Sequence, residues 1–536
     1  MSRNSGRHST PSRRKYSCIF GDRKVFQRLF SDIRFWLASV FVVAVAIYLP
    51  ALKGEPIWDD LPLITGATPA TRDLGSAFTK SFGNYYRPLT SATFAIENGL
   101  VYGKPVLYHA TNILLHGLTA IFVALLAIAV TQRRLAGILA GLFFAAQPMQ
   151  VGAVSWIGGR TDALSAFLLS AFLLSLVRYH QSEKRTWLFG ALILYLLAAL
   201  SKEQAAAMLP AAPLSALVFS SKGWKEFRRL AGLFGIVLAV YVGLWAMSGP
   251  VPRTGSGGLS SSILLALRTA ADYSLGFICP NRPSLITFTL FNFQSPIWIL
   301  VGSTAVVAGV YLIAKAWKNN RSLSWLGVCA LLVYLPISNF PPVPSFVVGP
   351  YRCAECGISI ACLCGIALEY AVSQKHLMWI FALGANFLLG VGVTCWGIQQ
   401  WTTPLGFSTK IVENDPHFVI GVQLEAEYLN ANGRPAEAEY LTSNVLVWLF
   451  NSEKWAQQID KFKKAAVTPD VRQRLRTNTG IPQVRELGGL IAIHAIAAFR
   501  VGNTQHAKLA ANDALVFMPN DANVRALAAA LDQPSR

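Results

Sequence analysis

Two adjacent carboxylates, Asp59 and Asp60, stand just after a long apolar run, in the stretch Ile57-Trp58-Asp59-Asp60-Leu61. Crowding or burying like charges raises the energy of the ionised forms, so such a pair is costly at a membrane edge. If both point into one cavity they make a general base with a carboxylate neighbour. The plain alternative is a solvated turn, where aspartate is common. Four cations recur at later helix edges: Arg87, Arg160, Lys202 and Arg352. Each alone would be a snorkelling side chain. Four of them beside carboxylates suit an anionic headgroup or a lipid phosphate, which Arg grips through two donors and Lys meets as a point charge.

His109, Asn112 and His116 fall at i, i+3 and i+7 and share one helix face. No acidic third ligand stands at local spacing, so hydrogen bonds between helices are favoured over a metal site. Tyr85 and Tyr86 fit an interfacial aromatic belt, and Pro88 fixes the turn that carries Arg87. Pro336-Ile337-Ser338-Asn339 reads as a helix end with local capping.

The elements that must position these groups are membrane helices. Hydrophobic residues make up 53% of the 536-residue chain and charged residues 14%. The mean hydropathy is +0.42, above what a soluble globular chain reaches. The net charge of +20 is concentrated in the amino-terminal tail and in short loops. That distribution reads as topology and contact with membrane lipids, not as nucleic-acid binding. Cys353 and Cys356 form a CxxC with no second pair at zinc-finger spacing, and Cys362 and Cys364 read as packing residues.

Residues 1–32 form a basic tail that reads as disordered and cytoplasmic. The run Ile33 to Leu52 is long enough to span and lacks a small-residue cleavage site, so it reads as an uncleaved first helix. Ten further apolar runs follow, near 107–131, 135–148, 163–179, 187–200, 205–220, 230–248, 296–314, 323–339, 357–373 and 377–397. The basic clusters fall in alternate loops if the segment 259–280, with Arg268 and Asp272, stays interfacial or re-entrant. Eleven crossings result, with the amino terminus inside and the carboxyl-terminal region outside. The outer connections then carry the compact polar motifs, whereas the inner loops are merely basic. One outward-facing site near the lipid surface accounts for this asymmetry.

The chain thus divides into the tail 1–32, a membrane domain 33–398 whose first outer loop (53–106) bears the aspartates, and a helical region 399–536. In the last, Gly433…Ala438 and Gly502…Ala507 share one spacing and lie 69 residues apart, close to twice the 34-residue tetratricopeptide period. Ala514 and Pro519 fall where such a repeat wants a small residue and a helix stop. The plain alternative is an ordinary helical bundle.

In chain order these motifs are Asp59-Asp60, Tyr86-Arg87-Pro88-Leu89, His109-x2-Asn112-x3-His116, a loop with Pro148 ending Gly159-Arg160-x-Asp162, Lys202-Glu203-Gln204, and Pro336-x-Ser338-Asn339. Their order, with repeats at the carboxyl end, resembles bacterial relatives of the transmembrane-and-tetratricopeptide-repeat O-mannosyltransferases, in the GT-C glycosyltransferase class. The similarity covers most of residues 55–536. It implies an all-α polytopic membrane protein of about eleven helices with a tetratricopeptide-like domain. It also implies a polyprenyl-phosphate-linked sugar donor and a polypeptide acceptor on the outer face. By the same resemblance, Asp59 is the base with Asp60 its support. Tyr86, Arg87, His109, Asn112, His116, Arg160, Asp162, Lys202, Glu203 and Arg352 are the substrate and phosphate candidates, with Mg or Mn as a candidate cofactor. The family's second outer loop reads His-Pro-x-His-x-Glu, whereas this chain has Gln147-Pro148-Met149-Gln150-Val151-Gly152, and Tyr351 replaces an acidic residue before Arg352.

The leading expectation is an inverting glycosyltransferase of a bacterial inner membrane, working on the periplasmic side. The rivals are a non-catalytic scaffold that recruits partners through its helical region, and a lipid-linked sugar transporter. Polar motifs crowded on one side argue against transport, which needs a midplane path.

Overall fold

A computed structural model describes residues 32–81, 85–249, 259–279, 295–338, 340, 349–414, 416, 418–451 and 482–532. The expected basic tail, apart from Asp32, and Asn339 lie outside these residues. The protein is an all-α polytopic membrane protein. Each of the eleven apolar runs forms helix, because uninterrupted Leu, Ala, Val and Ile leave the backbone no other way to satisfy its polar groups in lipid. In chain order the helices are α1 (Ile33–Tyr48), α2 (Pro88–Val101), α3 (Pro105–Thr131), α4 (Arg134–Ala146), α5 (Arg160–Ser182), α6 (Arg185–Ser201) and α7 (Ala211–Phe219). There follow α8 (Gly223–Met247), α9 (Leu259–Ile278), α10 (Pro296–Asn319), α11 (Arg321–Ile337), α12 (Ala354–Ser373) and α13 (Leu377–Gln400). The carboxyl-terminal region holds α14 (Pro404–Asn414), α15 (Val419–Ala431), α16 (Pro435–Asn451), α17 (Pro482–Arg500), α18 (Thr504–Phe517) and α19 (Ala522–Asp532).

Seven of these helices are long and apolar enough to cross a membrane, or eight if the pair Arg134–Ala146 and Pro148–Ser155, bent by 53°, is one span. The eleven-crossing count therefore exceeds what length supports. The helices α6 and α11 are apolar but shorter. The run 205–220 is divided into a 3-10 turn over Glu203–Met208 and the nine-residue α7. Helix α9 is not among the seven. Its Arg268 pairs with Asp272 at 2.9 Å and lies 4.1 Å from the centre of the Trp298 ring, so both charges of that segment are engaged locally.

Small residues set the closest helix approaches. A Cβ at Gly365 of α12 would lie 2.4 Å from the Ala140 backbone nitrogen of α4, and one at Gly302 of α10 would lie 1.8 Å from the Leu267 carbonyl of α9. Packing of this kind, not hydrophobic transfer, holds helices together in lipid. The core runs through α3, α4, α5, α6 and α12, with Phe144, Phe172, Leu169 and Cys362 fully buried.

The loops sort into two ends. At one end Arg133 bonds Glu369 at 2.8 Å, Lys222 bonds Glu183 at 3.1 Å, and Tyr179 donates to Glu226, which also takes Arg229. These are the basic loops expected to share a side. The carboxylate and cation motifs gather at the other end.

In the carboxyl-terminal region α15–α16 and α17–α18 are helix hairpins closed by the same turn. Gly433 has φ 73° and Gly502 φ 89°. Arg434 N–H donates to the Leu429 carbonyl and Asn503 N–H to that of Ala498, each at 2.9 Å, the 6→1 bond of a Schellman motif. Ala438 and Ala507, the paired small residues of the sequence pattern, are both fully buried.

Candidate active site

Asp59 and Asp60 share a loop but not an environment. Asp60 is fully buried; its Oδ2 accepts the Ile57 N–H at 3.0 Å and its Oδ1 the Gly158 N–H at 2.8 Å. It therefore ties the first outer loop to the turn that opens α5. Asp59 is half-buried, and its Oδ1 has no hydrogen-bond partner among the described residues. Burial pushes the Asp59 pKa from 3.8 up to about 6, against an opposing backbone hydrogen bond and the charge of Arg87. Burial and the neighbouring Asp59 push that of Asp60 well above the usual range. The two roles separate on geometry: one carboxylate holds the loop and the other presents an uncommitted oxygen.

The preceding residue makes this presentation specific. Trp58 has φ 53°, a backbone region that a bulky L residue rarely occupies. Its indole stacks on Trp156, with centroids 5.1 Å apart and planes 16° apart. Trp156 in turn meets Tyr351 at 5.4 Å and Trp401 at 6.2 Å, while Trp58 reaches Phe407 of α14 at 6.0 Å. These rings come from the first loop, the loop before α5, the start of α12 and the carboxyl-terminal region. None of Trp156, Trp401 and Phe407 stood out in the sequence, because single aromatics in a Trp-rich chain carry no spacing signal.

The cations fall into distinct settings. Arg160 is fully buried and each of its three nitrogens donates to protein: Nε to Asn112 Oδ1, Nη1 to Thr93 at 3.2 Å, and Nη2 to Glu97 at 3.0 Å and the Tyr108 carbonyl at 2.9 Å. The expectation that Arg160 meets phosphate is thus not supported; it is a clamp between α2, α3 and α5. Glu97 was missed, though a lone acidic residue in an otherwise uncharged helix was a usable signal. Lys202 is also buried, bonded to Asp162 and 3.7 Å from Glu355 Oε1. Glu355 accepts from Gln204 at 2.6 Å. Arg87 lies nearer solvent and grips Glu203 with two donors, at 2.7 and 2.8 Å. Arg352 is half-buried, and its charge acts on Tyr273, Tyr351, Tyr85 and Asp162. Tyr86 is buried and donates to the Phe78 carbonyl at 3.1 Å, a structural contact and not a belt position.

The shared face of His109, Asn112 and His116 is an interhelical one. Asn112 donates to the Trp156 carbonyl at 2.8 Å and so helps hold the turn that Asp60 also holds. His116 meets the Ala145 carbonyl at 3.2 Å and packs between Tyr48 and Phe144. His109 is buried against the first loop, where a Cβ at Gly54 would fall 2.8 Å from its Nε2; only glycine lets the loop come so near. Among the described residues no group of three or more His, Cys, Asp or Glu converges as a metal site. In the divergent second loop, Gln150 donates to the Ala354 carbonyl at 3.3 Å. The space a side chain would need at Gly152 is taken by Trp401 and Tyr351.

Arg87 lies near enough for its charge to act on Asp59 and Asp162, and Tyr351 lies within the same reach of Arg352, Asp162, Tyr85 and Asp59. Parts of the chain are similar to known proteins. The chain is 31% identical over 180 residues to Protein O-mannosyl-transferase Tmtc1 of Drosophila melanogaster, covering 31% of this chain and 20% of that protein. It is 30% identical over 209 residues to Protein O-mannosyl-transferase TMTC4 of Homo sapiens and 35% over 213 to that of Mus musculus, each covering 33% of this chain and 28% of the relative. The chain is a relative of these O-mannosyl-transferases. It spans 20–28% of the length of these curated relatives, and no family model matches it.

Proposed function

We propose that the protein transfers a sugar from a polyprenyl-phosphate-linked donor to a hydroxyl of a polypeptide on the extracytoplasmic face, with Asp59 as general base. The observation that carries this reading is the buried Oδ1 of Asp59, without a hydrogen-bond partner among the described residues, on a loop locked by Asp60. A base held in place with one oxygen uncommitted, and with its pKa raised towards neutrality, is matched to taking a hydroxyl proton.

The step balances without another reactant. Asp59 takes the proton of the acceptor hydroxyl as its oxygen attacks the anomeric carbon. The bond from that carbon to the phosphate oxygen breaks, and its electron pair leaves with the polyprenyl phosphate, inverting the carbon. Cations at the site favour the charge that develops on the departing phosphate. The relatives' names point to mannose as the first sugar to try. The hairpins of α15–α18, read as tetratricopeptide-like, would present the polypeptide. On this reading the enzyme is of GT-C type, set in a bacterial inner membrane with its amino terminus cytoplasmic and its helical region periplasmic.

A second reading, a scaffold without turnover, is favoured by one observation: the second outer loop carries Gln147, Gln150 and Gly152 where the family pattern has two His and a Glu. The test is sugar transfer from a panel of radiolabelled polyprenyl-phosphate monosaccharides, in membranes bearing wild type or Asp59→Asn. Transfer by the wild type alone, with the variant folded, upholds the enzyme and its base. Equal transfer by both removes Asp59 as the base, and transfer by neither across the panel favours the scaffold.

A further inference from the structure

The ion pair between Arg87 and Glu203 differs from the other pairs at this end of the molecule. Arg160 is sealed with a 0% exposed side chain and Lys202 with 5%, and both have buried carboxylate partners. Arg87 is 18% exposed and Glu203 43%. Nε and Nη2 of Arg87 donate to the two oxygens of that one carboxylate, at 2.8 and 2.7 Å, while the Tyr85 ring lies 4.1 Å from the guanidinium carbon. The ring lies against the fork, and the carboxylate it holds is the more exposed partner. Two oxygens of a phosphate offer a guanidinium the same edge that a carboxylate does.

We infer that Glu203 is a placeholder, filling on Arg87 the oxygen positions that a phosphate group takes when it binds. The ligand is a phosphate ester, and of Arg87, Arg160 and Lys202 it is Arg87 that is built to exchange partners. Glu203 then swings into solvent and Arg87 keeps two charge-assisted bonds throughout. This rests on the reading of the site as one for a lipid-phosphate donor. Glu203 is 43% exposed, so solvent screening tempers the pair, and its removal tightens phosphate binding about threefold to fivefold.

The test is binding without turnover, using the full chain in nanodiscs, with radiolabelled polyprenyl monophosphate and the uncharged polyprenol as control. Glu203→Gln is expected to bind polyprenyl monophosphate about threefold to fivefold tighter than wild type. Arg87→Lys, which keeps the charge but loses the fork, is expected to bind more weakly, and Glu203→Gln to add nothing in an Arg87→Lys background. Weaker or unchanged binding by Glu203→Gln would mean that Glu203 only orients Arg87, and the inference fails. A gain of the same size in the Arg87→Lys background would reduce it to general charge repulsion, and it fails again. Equal affinity for inorganic phosphate and polyprenyl monophosphate, with the Glu203→Gln gain intact, upholds the exchange while removing the lipid donor. Absence of sugar transfer, with the binding pattern intact, counts against the transferase reading alone.

Discussion

Asp60 and Gly158 are joined by a 2.8 Å hydrogen bond, from the Gly158 N–H to Asp60 Oδ1, that links the first outer loop to the start of α5 across 98 residues of chain. With the second bond from Ile57 it leaves Asp60 a structural anchor. Asp60→Ala strands two buried N–H donors and should destabilise the fold by about 2–4 kcal/mol, from leaving both unsatisfied. Asp60→Asn keeps one acceptor oxygen and should fall between. Thermal unfolding in detergent gives the order. A pair of variants as stable as the wild type would remove the anchor role.

Asp59 gives a pH prediction with a definite sign. Only its ionised form takes a proton, so transfer should fall as pH drops through about 6. Stability moves the other way. The folded pKa stands above the ordinary 3.8, so the folded protein binds more protons between those values and loses stability as pH rises through that window. Asp59→Asn escapes the penalty. It should therefore lose transfer yet melt higher than wild type at neutral pH, with the difference shrinking below pH 6. A melting difference independent of pH would contradict the burial of this carboxylate.

Lys202 holds Asp162 and stands beside Glu355, all three buried. Lys202→Met leaves two uncompensated carboxylates together and should cost about 3–5 kcal/mol. Adding Asp162→Asn to Lys202→Met should recover part of that loss. A double-mutant cycle on unfolding measures the coupling, and additive losses would show that the pair is not energetically joined.

Trp58 can be tested by reversing an ordinary order. At φ 53° glycine is the easier residue, so Trp58→Gly should be about 1 kcal/mol more stable than Trp58→Ala. Both lose the stack on Trp156, and with it the fixed position of Asp59, so both should lower transfer. If the alanine variant is the more stable, the left-handed backbone at Trp58 is not present.

The hairpin turns of the carboxyl-terminal region make a cleaner case. Gly433 and Gly502 have positive φ, and a Cβ at either would meet no atom within 4 Å. Replacement by alanine should therefore cost only the backbone penalty, about 1 kcal/mol each, and the two should add. Non-additive losses would mean that the hairpins communicate through more than their packed faces.

Apolar run length made the helices legible, and alternating basic loops made their two ends legible, as the pairing of Arg133 with Glu369 bears out. The Gly-x4-Ala spacing likewise located both hairpin turns. The pairing of charges was not legible. Arg160 and Glu97 lie 63 residues apart and Gln204 and Glu355 151 apart, and nothing local distinguishes a cation that will be sealed from one that will face a ligand. Arg160 was for that reason grouped with Arg87. The aromatic cluster was hidden for the same cause: Trp58, Trp156, Trp401 and Phe407 meet only after four separate segments have docked.

The first outer loop is stitched to the far end of the membrane domain by the Glu55 N–H donating to the Thr402 carbonyl, at 2.9 Å, and by Trp58 against Phe407 of α14. The helical region is therefore not a detachable module. Exchanging it for that of a relative would import a foreign wall for the loop that carries Asp59. A chimera joined after α14 keeps the native wall, whereas one joined before Trp401 rebuilds the neighbourhood of Asp59.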